Sequence, residues 1–404
     1  MTVSAEPGPA AETAGAPPAP LVFVVAGEPS GDILGARLMA ALKARTAGRI
    51  RFAGVGGAGM QREGLDSLFP MRELSLMGLA EILPHLPRLY RRLRQTVDAV
   101  RRLRPDAVVT VDSPEFSLRV ARRVHGTGPP TLHYVAPQLW AWRPGRGRRL
   151  AGAVDRLLAL LPFEPQFFAR FGVPCSFVGH PVLESGAERG DAAAFRARHD
   201  LSPATPLVSV LPGSRATEVR RLLPIFGAAV ARLADTHPGL TAAVCAAPPM
   251  AEAVRAGLAD WPVPTVLVTE ESNKYDAFAA SRAAITKSGT VTLELALAGL
   301  PMVVTYRVSP TSAFLARRLI TVDYVSLVNL LLQRPLVPEL LQEDCTPERI
   351  AAETTALLDD EAAHAAQCRG LAEVIEGLGG LSPVPSQRAA EAVLEEIARR
   401  RAAA

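Results

Sequence analysis

Apolar runs that break off into short polar turns set the rhythm of the chain. Residues 21–26 are apolar throughout, the pattern of a strand buried on both faces. They give way to the turn Gly27-Glu28-Pro29-Ser30-Gly31-Asp32 and an expected helix over 33–44. The unit recurs. Residues 51–55 lead into a glycine loop at 54–59, and residues 107–111 lead into Asp112-Ser113-Pro114-Glu115 and a helix through Val124. Residues 131–135 lead into Ala136-Pro137-Gln138. A second series starts near Pro206. Its predicted strands are 207–211, 241–246, 265–268, 283–286 and 302–306, and helices are expected after Pro212-Gly213-Ser214-Arg215 and after Lys287-Ser288-Gly289-Thr290. Strands alternating with helices predict parallel α/β sheets, with ligands outside the carboxyl ends of the strands.

This pattern divides the chain. Residues 1–20, rich in Pro, Ala, Gly and Thr, read as a disordered lead-in. Residues 21–200 and 201–346 read as two α/β domains, and residues 347–404, rich in Ala, Glu and Arg, as C-terminal helices. The length of 404 residues suits two cores. No apolar run approaches the ~18 residues of a membrane-spanning helix.

Charge adds local detail. A net charge of +4 does not by itself point to nucleic acid. Lysine occurs only at Lys43, Lys274 and Lys287, so every other one of the 44 basic side chains is arginine. The four cysteines are scattered, and the histidines lack metal-ligand spacing, so no disulfide framework or metal site is expected. In residues 86–103 an apolar face of Leu86, Leu89, Leu93, Val97, Val100 and Leu103 is flanked by arginines. It reads either as a surface helix packed on the sheet or as an element resting on anionic lipid. Upstream, Leu74, Leu76, Met77, Leu79, Ile82 and Leu83 offer an apolar patch for acyl chains. Trp140 and Trp142, two residues apart, favour packing over a membrane rim.

Five turns are candidates for chemistry. Gly54-Val55-Gly56-Gly57-Ala58-Gly59 matches GxGxxG, but it follows the second strand and lacks room for the usual long helix, so a tight turn is favoured over a dinucleotide site. In the first turn Ser30 or Asp32 can cap the helix, whereas Glu28 precedes it and must project from the sheet edge. Asp112 directly follows an apolar strand, where partial desolvation raises basicity and suits a general base; an N-cap is the plainer alternative. Pro212–Arg215 and Lys287–Thr290 are cationic glycine turns, each before a helix, and together they favour an anionic nucleotide. Glu294, one turn beyond Thr290, is placed to reach a ribose hydroxyl. There is no P-loop and no DxD, so a sugar-nucleotide reaction here would need no divalent metal.

Read in order, these segments resemble the lipid-A-disaccharide synthase family of inverting glycosyltransferases. The resemblance rests on GEPSGDILGA (27–36), GVGGAGMQREG (54–64), ELSLMGLAEIL (73–83), VDSPEF (111–116), HYVAPQLWAWR (133–143), LLPFEP (160–165), LPGSR (211–215), KSGTVTLE (287–294) and DYVSLVNLL (323–331). It implies a GT-B-like pair of Rossmann-type parallel-sheet domains with a cleft between them. The N-terminal domain would take the acceptor and lipid, and the C-terminal domain the UDP-sugar, with the last helices crossing back to the first domain. The implied reaction transfers 2,3-diacylglucosamine from its UDP derivative to 2,3-diacylglucosamine 1-phosphate, forming a β-1,6 disaccharide 1-phosphate and UDP without a cofactor.

The resemblance further implies that Asp112 is the base, that Glu28 positions the acceptor or aids the base, and that Ser30 binds the acceptor. Gly213, Ser214, Arg215, Lys287, Ser288, Gly289 and Thr290 would hold UDP, Glu294 its ribose, and Asn329 matches the family's functional asparagine. It places the chain in the cytoplasm of a Gram-negative cell, in peripheral contact with anionic lipid of the inner membrane, with no nucleic-acid partner; a homodimer enters only through the family. Pro29, Ser113, Glu115 and Val328 depart from the commoner pattern, which bears on acyl preference more than on the reaction. Two rivals stay open: another GT-B transferase or sugar-nucleotide epimerase, and a non-catalytic lipid-binding protein on the membrane surface.

Overall fold

A computed structural model describes residues 18–74, 79–142, 144–311, 313–314 and 322–403; of 79–85, 142, 144 and 146 it describes the backbone alone. Two parallel six-stranded sheets organise the chain. The first holds β1 (Leu21–Ala26), β2 (Arg51–Val55), β3 (Ala107–Val111), β4 (Thr131–Tyr134), β5 (Arg156–Ala159) and β6 (Cys175–Phe177), in the order β2-β1-β3-β4-β5-β6. The second holds β7 (Leu207–Leu211), β8 (Thr241–Cys245), β9 (Thr265–Val268), β10 (Ala283–Lys287), β11 (Met302–Tyr306) and β12 (Glu339–Leu341), in the order β12-β11-β10-β7-β8-β9.

Helices connect them. They are α1 (Pro29–Arg45), α2 (Ala58–Arg62), α3 (Leu79–Leu103), α4 (Pro114–Val124), α5 (Leu139–Trp142), α6 (Glu164–Ala169), α7 (Ala192–Arg198), α8 (Ala216–Thr236), α9 (Ala251–Leu258), α10 (Glu271–Ala280), α11 (Val291–Leu297), α12 (Leu327–Leu332), α13 (Pro347–Asp359), α14 (Glu361–Gly377) and α15 (Pro385–Ala402). The chain forms two compact units, Met1–His133 with Val393–Ala404, and Tyr134–Ala392.

The all-apolar runs become the central strands. Val22 to Ala26, the apolar residues of β3, and Val208 and Val210 of β7 are all sealed from solvent. Such strands need cover on both faces, which the crossover helices supply. Register then fixes what lies at the carboxyl edges. Ala26 pairs with Val111, so Gly27-Glu28 emerges beside Asp112-Ser113. Thr286 pairs with Leu211, so Pro212–Arg215 emerges beside the turn after Lys287.

The sequence does not predict β5, β6 and β12; β6 and β12 have three residues each, too few to show a period. In α3, Leu93, Val97 and Val100 face the core, as the periodicity predicts, while Leu86 and the C-terminal Leu103 stay exposed. No helix among the described residues is long and apolar enough to cross a membrane.

Candidate active site

At the carboxyl edge of the first sheet, two consecutive non-glycine residues adopt left-handed backbone: Asp112 at φ +48° and Ser113 at φ +45°. Each such residue costs about 1 kcal/mol or more, and strain of this kind collects at functional positions. The N-cap alternative for Asp112 is not realised. Ser113 occupies the N-cap of α4, and its side chain makes no capping bond. The Asp112 carboxylate instead accepts from Ser30 Oγ at 3.0 Å. Ser30 sits in the first turn of α1, which begins at Pro29 rather than at Ile33; Pro at a first helical position loses no hydrogen bond. Glu28 is the N-cap of α1 but makes no capping bond either. Desolvation first, and the neighbouring Asp112 charge second, raise its carboxyl above the ordinary range. Gly27 permits this closeness, because a Cβ there would lie 2.6 Å from Ser113 Oγ.

Beneath Asp112, Thr110 Oγ1 lies 2.9 Å from His133 Nδ1. His133 is sealed from solvent, and burial pulls its pKa down to about 4 against the opposing pull of the Asp112 charge. It is neutral at physiological pH.

Asp32 does not cap its own helix, whose N-cap is Glu28. Its carboxylate accepts from the N–H groups of Gly57 (2.8 Å), Gly59 (2.8 Å) and Met60 (3.0 Å). The glycine loop therefore spends these donors on Asp32 and does not cradle a pyrophosphate. A Cβ at Gly57 would meet the same carboxylate at 2.7 Å, so glycine is needed for the fit. This supports the tight turn favoured from the sequence.

The second unit carries a cavity of about 560 Å³ at the carboxyl edge of its sheet. Gly213, Ser214, Arg215, Lys287, Gly289, Thr290 and Glu294 all line it, as the turns predict. Among the lining residues that the turns do not predict are Glu218 and Lys274. Glu218 folds back over the N-terminus of α8, accepting from Ser214 N–H (3.1 Å) and Arg215 N–H (3.3 Å) and lying 3.2 Å from Lys287 Nζ. Burial pushes its carboxyl up, but the Lys287 charge and these donors outweigh burial and hold it below the usual range. Lys274 Nζ lies 2.7 Å from Glu294 Oε2 in an ion pair without hydrogen-bond alignment. Both signals were present in the sequence. Glu218 stands at capping-box spacing from Arg215, and Lys274 and Lys287 are two of only three lysines in an arginine-dominated chain.

Two predicted residues do not line this cavity. Ser288 is buried and donates through Oγ to Val325 C=O at 3.1 Å. Asn329 is 1% exposed, and its amide is fully engaged with Leu336, Val337 and Glu339. In the apolar patch, Leu74 is buried. Leu76 and Met77 lie outside the described residues, and Leu79, Ile82 and Leu83 belong to α3 with side chains likewise outside them. Trp140 packs as expected, donating to Glu164 Oε1 at 3.0 Å and meeting Phe163 edge-on at 5.0 Å, whereas the Trp142 side chain is not described.

Comparison with known proteins gives consistent matches. A family model described as lipid-A-disaccharide synthetase matches residues 22–390. The lipid-A-disaccharide synthase of Rhodospirillum centenum is 54% identical over 382 residues, covering 94% of this chain and 95% of its own. That of Granulibacter bethesdensis is 54% identical over 342 residues, covering 85% and 87%. Among solved structures, the glycosyltransferase of kitacinnamycin superposes with a TM-score of 0.62 at 18% identity, covering 94% of this chain and all of that one. A UDP-GlcNAc 2-epimerase from Neisseria meningitidis, bound to UDP-GlcNAc, superposes with 0.61 at 12% identity, covering 94% and 100%. At such identities these structures speak to fold alone, and the fold is a GT-B-like pair of Rossmann-type sheets.

Proposed function

The chain belongs to the lipid-A-disaccharide synthase family, and from that premise we propose how its residues divide the work of the transfer. It is a glycosyltransferase that moves 2,3-diacylglucosamine from UDP to the 6-hydroxyl of 2,3-diacylglucosamine 1-phosphate. In an inverting single displacement, the acceptor oxygen bonds to the sugar C1 as the bond from C1 to the diphosphate oxygen breaks. The hydroxyl proton goes to a base, and UDP leaves with the bonding electron pair.

Asp112 is that base. The observation that carries the assignment is its left-handed backbone at the strand end, which projects the carboxylate from the sheet edge while Ser30 binds one of its oxygens. A hydroxyl donated to one oxygen orients the carboxylate and leaves the other for the incoming proton. Glu28, with its raised carboxyl, orients the acceptor from the adjacent strand end. Charge builds on the departing diphosphate. The N-terminus of α8, with Arg215 and Lys287, meets it as the diphosphate displaces the Glu218 carboxylate that these groups hold in its absence. Glu294, held by Lys274, takes the ribose hydroxyls.

The division into an acceptor domain (21–200), a UDP-sugar domain (201–346) and C-terminal helices (347–404) belongs to this reading, as do the acyl-binding role of residues 74–83 and a homodimer. So does peripheral contact with the cytoplasmic face of a Gram-negative inner membrane. The arginines of α3 suit anionic headgroups, and both substrates are lipids. The test is product identification. With UDP-diacylglucosamine, diacylglucosamine 1-phosphate and EDTA, mass spectrometry should find a disaccharide 1-phosphate and an equal amount of UDP. UDP formed without disaccharide contradicts the acceptor assignment.

A further inference from the structure

We propose that Glu339, on the edge strand β12, is a positioning residue for the nucleotide-sugar site, acting through the Val325–Ser326 backbone on the Lys287–Thr290 turn. The proposal rests on the reading of the second unit's cavity as the UDP-sugar site.

Asn329 is saturated with hydrogen bonds. Its Oδ1 accepts from the N–H groups of Leu336 (2.8 Å) and Val337 (2.9 Å), and its Nδ2 donates to Val337 C=O (2.9 Å) and Glu339 Oε1 (2.8 Å). A primary amide has two donors and two acceptor lone pairs, and all four are spent. Asn329 has nothing left to offer a ligand, so its influence must pass through what it holds.

What it holds is Glu339. This carboxylate also accepts from Val325 N–H at 2.9 Å and Ser326 N–H at 3.0 Å. Three donors on one carboxylate make a strong, directional clamp, since hydrogen bonds to an ionised acceptor are roughly twice as strong as neutral ones. The clamp fixes the peptide between Tyr324 and Ser326, and the carbonyl of Val325 accepts Ser288 Oγ at 3.1 Å.

Ser288 stands between Lys287 and Gly289, which both line the cavity. On its other side the Ser288 N–H is fixed by Thr305 C=O at 2.8 Å. The turn is therefore pinned by the sheet ladder at one point and by the Glu339-held backbone at another. The chain of contacts runs from Glu339 through Val325 and Ser288 to the residues that meet the ligand, and every link lies in the second unit. A turn that slips by a fraction of an ångström misplaces Lys287 and the Gly289–Thr290 backbone relative to a diphosphate, and such misplacement is costly in rate and affinity.

The experiment compares Glu339→Ala, Glu339→Gln and Ser288→Ala with the wild type, using UDP titration calorimetry, separate KM values for the two substrates, and thermal melting. Glu339→Ala should weaken UDP binding and raise the UDP-sugar KM at least tenfold while the acceptor KM stays within twofold. Glu339→Gln, which keeps one carbonyl acceptor for the backbone donors, should recover part of this. Ser288→Ala should move the same two quantities, and the Ser288→Ala/Glu339→Ala pair should lose less than the product of the single losses because both act on one path. The proposal is overturned if folded Glu339→Ala binds UDP as the wild type does, or if both KM values shift alike. Should Glu339→Ala fail to fold, Ser288→Ala decides, and unchanged UDP affinity there overturns the proposal. Wild-type protein that binds no UDP refutes the site reading itself, a separate result.

Discussion

Ser30 Oγ reaches Asp112 Oδ2 across 3.0 Å from the first turn of a helix to the end of a neighbouring strand. The bond exists because Ala26 and Val111 are in register, which brings the Gly27–Ser30 turn alongside Asp112. Removing it should free the carboxylate to rotate without removing the base. Ser30→Ala should therefore lower kcat about tenfold, an effect on the order of 1.4 kcal/mol, with little change in the UDP-sugar KM. Steady-state kinetics at saturating donor checks this.

Asp32 predicts a loss of stability with no direct effect on chemistry. Asp32→Ala strands the three backbone donors of the glycine loop. Orphaning donors that face a charged acceptor costs about 2–4 kcal/mol in total. Urea unfolding should show the midpoint falling, and Asp32→Asn should lie between the variant and the wild type. NAD should protect neither protein from unfolding.

The two lysines of the cavity predict a failure of conservative replacement. Lys274 and Lys287 each pair with a cavity glutamate, Glu294 and Glu218. Lys274→Met should leave Glu294 unpaired in the site and weaken UDP binding at least tenfold, or about 1.4 kcal/mol. Arginine at either position should restore little, because a planar guanidinium does not occupy the volume of a compact ammonium. Calorimetric titration of UDP into Lys274→Met, Lys274→Arg and Lys287→Arg reads both effects.

Buried histidines predict acid sensitivity. Burial lowers His133 and His180 to about 4 from an ordinary 6.5. Below pH 6.5 the unfolded chain takes up protons that these rings refuse in the folded state. Their contribution to stability is full above that pH and is lost as pH falls toward 4. Melting curves between pH 7.5 and 4.5 should show Tm falling, and His180→Gln should flatten part of the slope.

Much of this molecule was legible in its sequence, for identifiable reasons. Strands buried on both faces are apolar without interruption, so β1, β3 and β7 announced themselves, and with them the turns that carry Asp112, Arg215 and Lys287. Partnerships between distant segments were not legible. Asp32 reads as a cap because its three partners lie 25 or more residues away. Glu339 has no place in the sequence reading because nothing local indicates that it holds Val325 and Ser326. Asn329 was flagged through family resemblance, yet the structure spends its amide on the backbone rather than offering it to the cavity. Lys274 did leave a trace, as a rare lysine among arginines.

Asp112→Asn isolates the role of Asp112 as the base. Asparagine tolerates left-handed backbone as aspartate does and keeps an oxygen for Ser30, so it removes the proton acceptor and little else. Folded Asp112→Asn should bind UDP with wild-type affinity while disaccharide formation, followed by mass spectrometry, falls at least a thousandfold, about 4 kcal/mol in the barrier. Turnover within tenfold of the wild type would contradict that role.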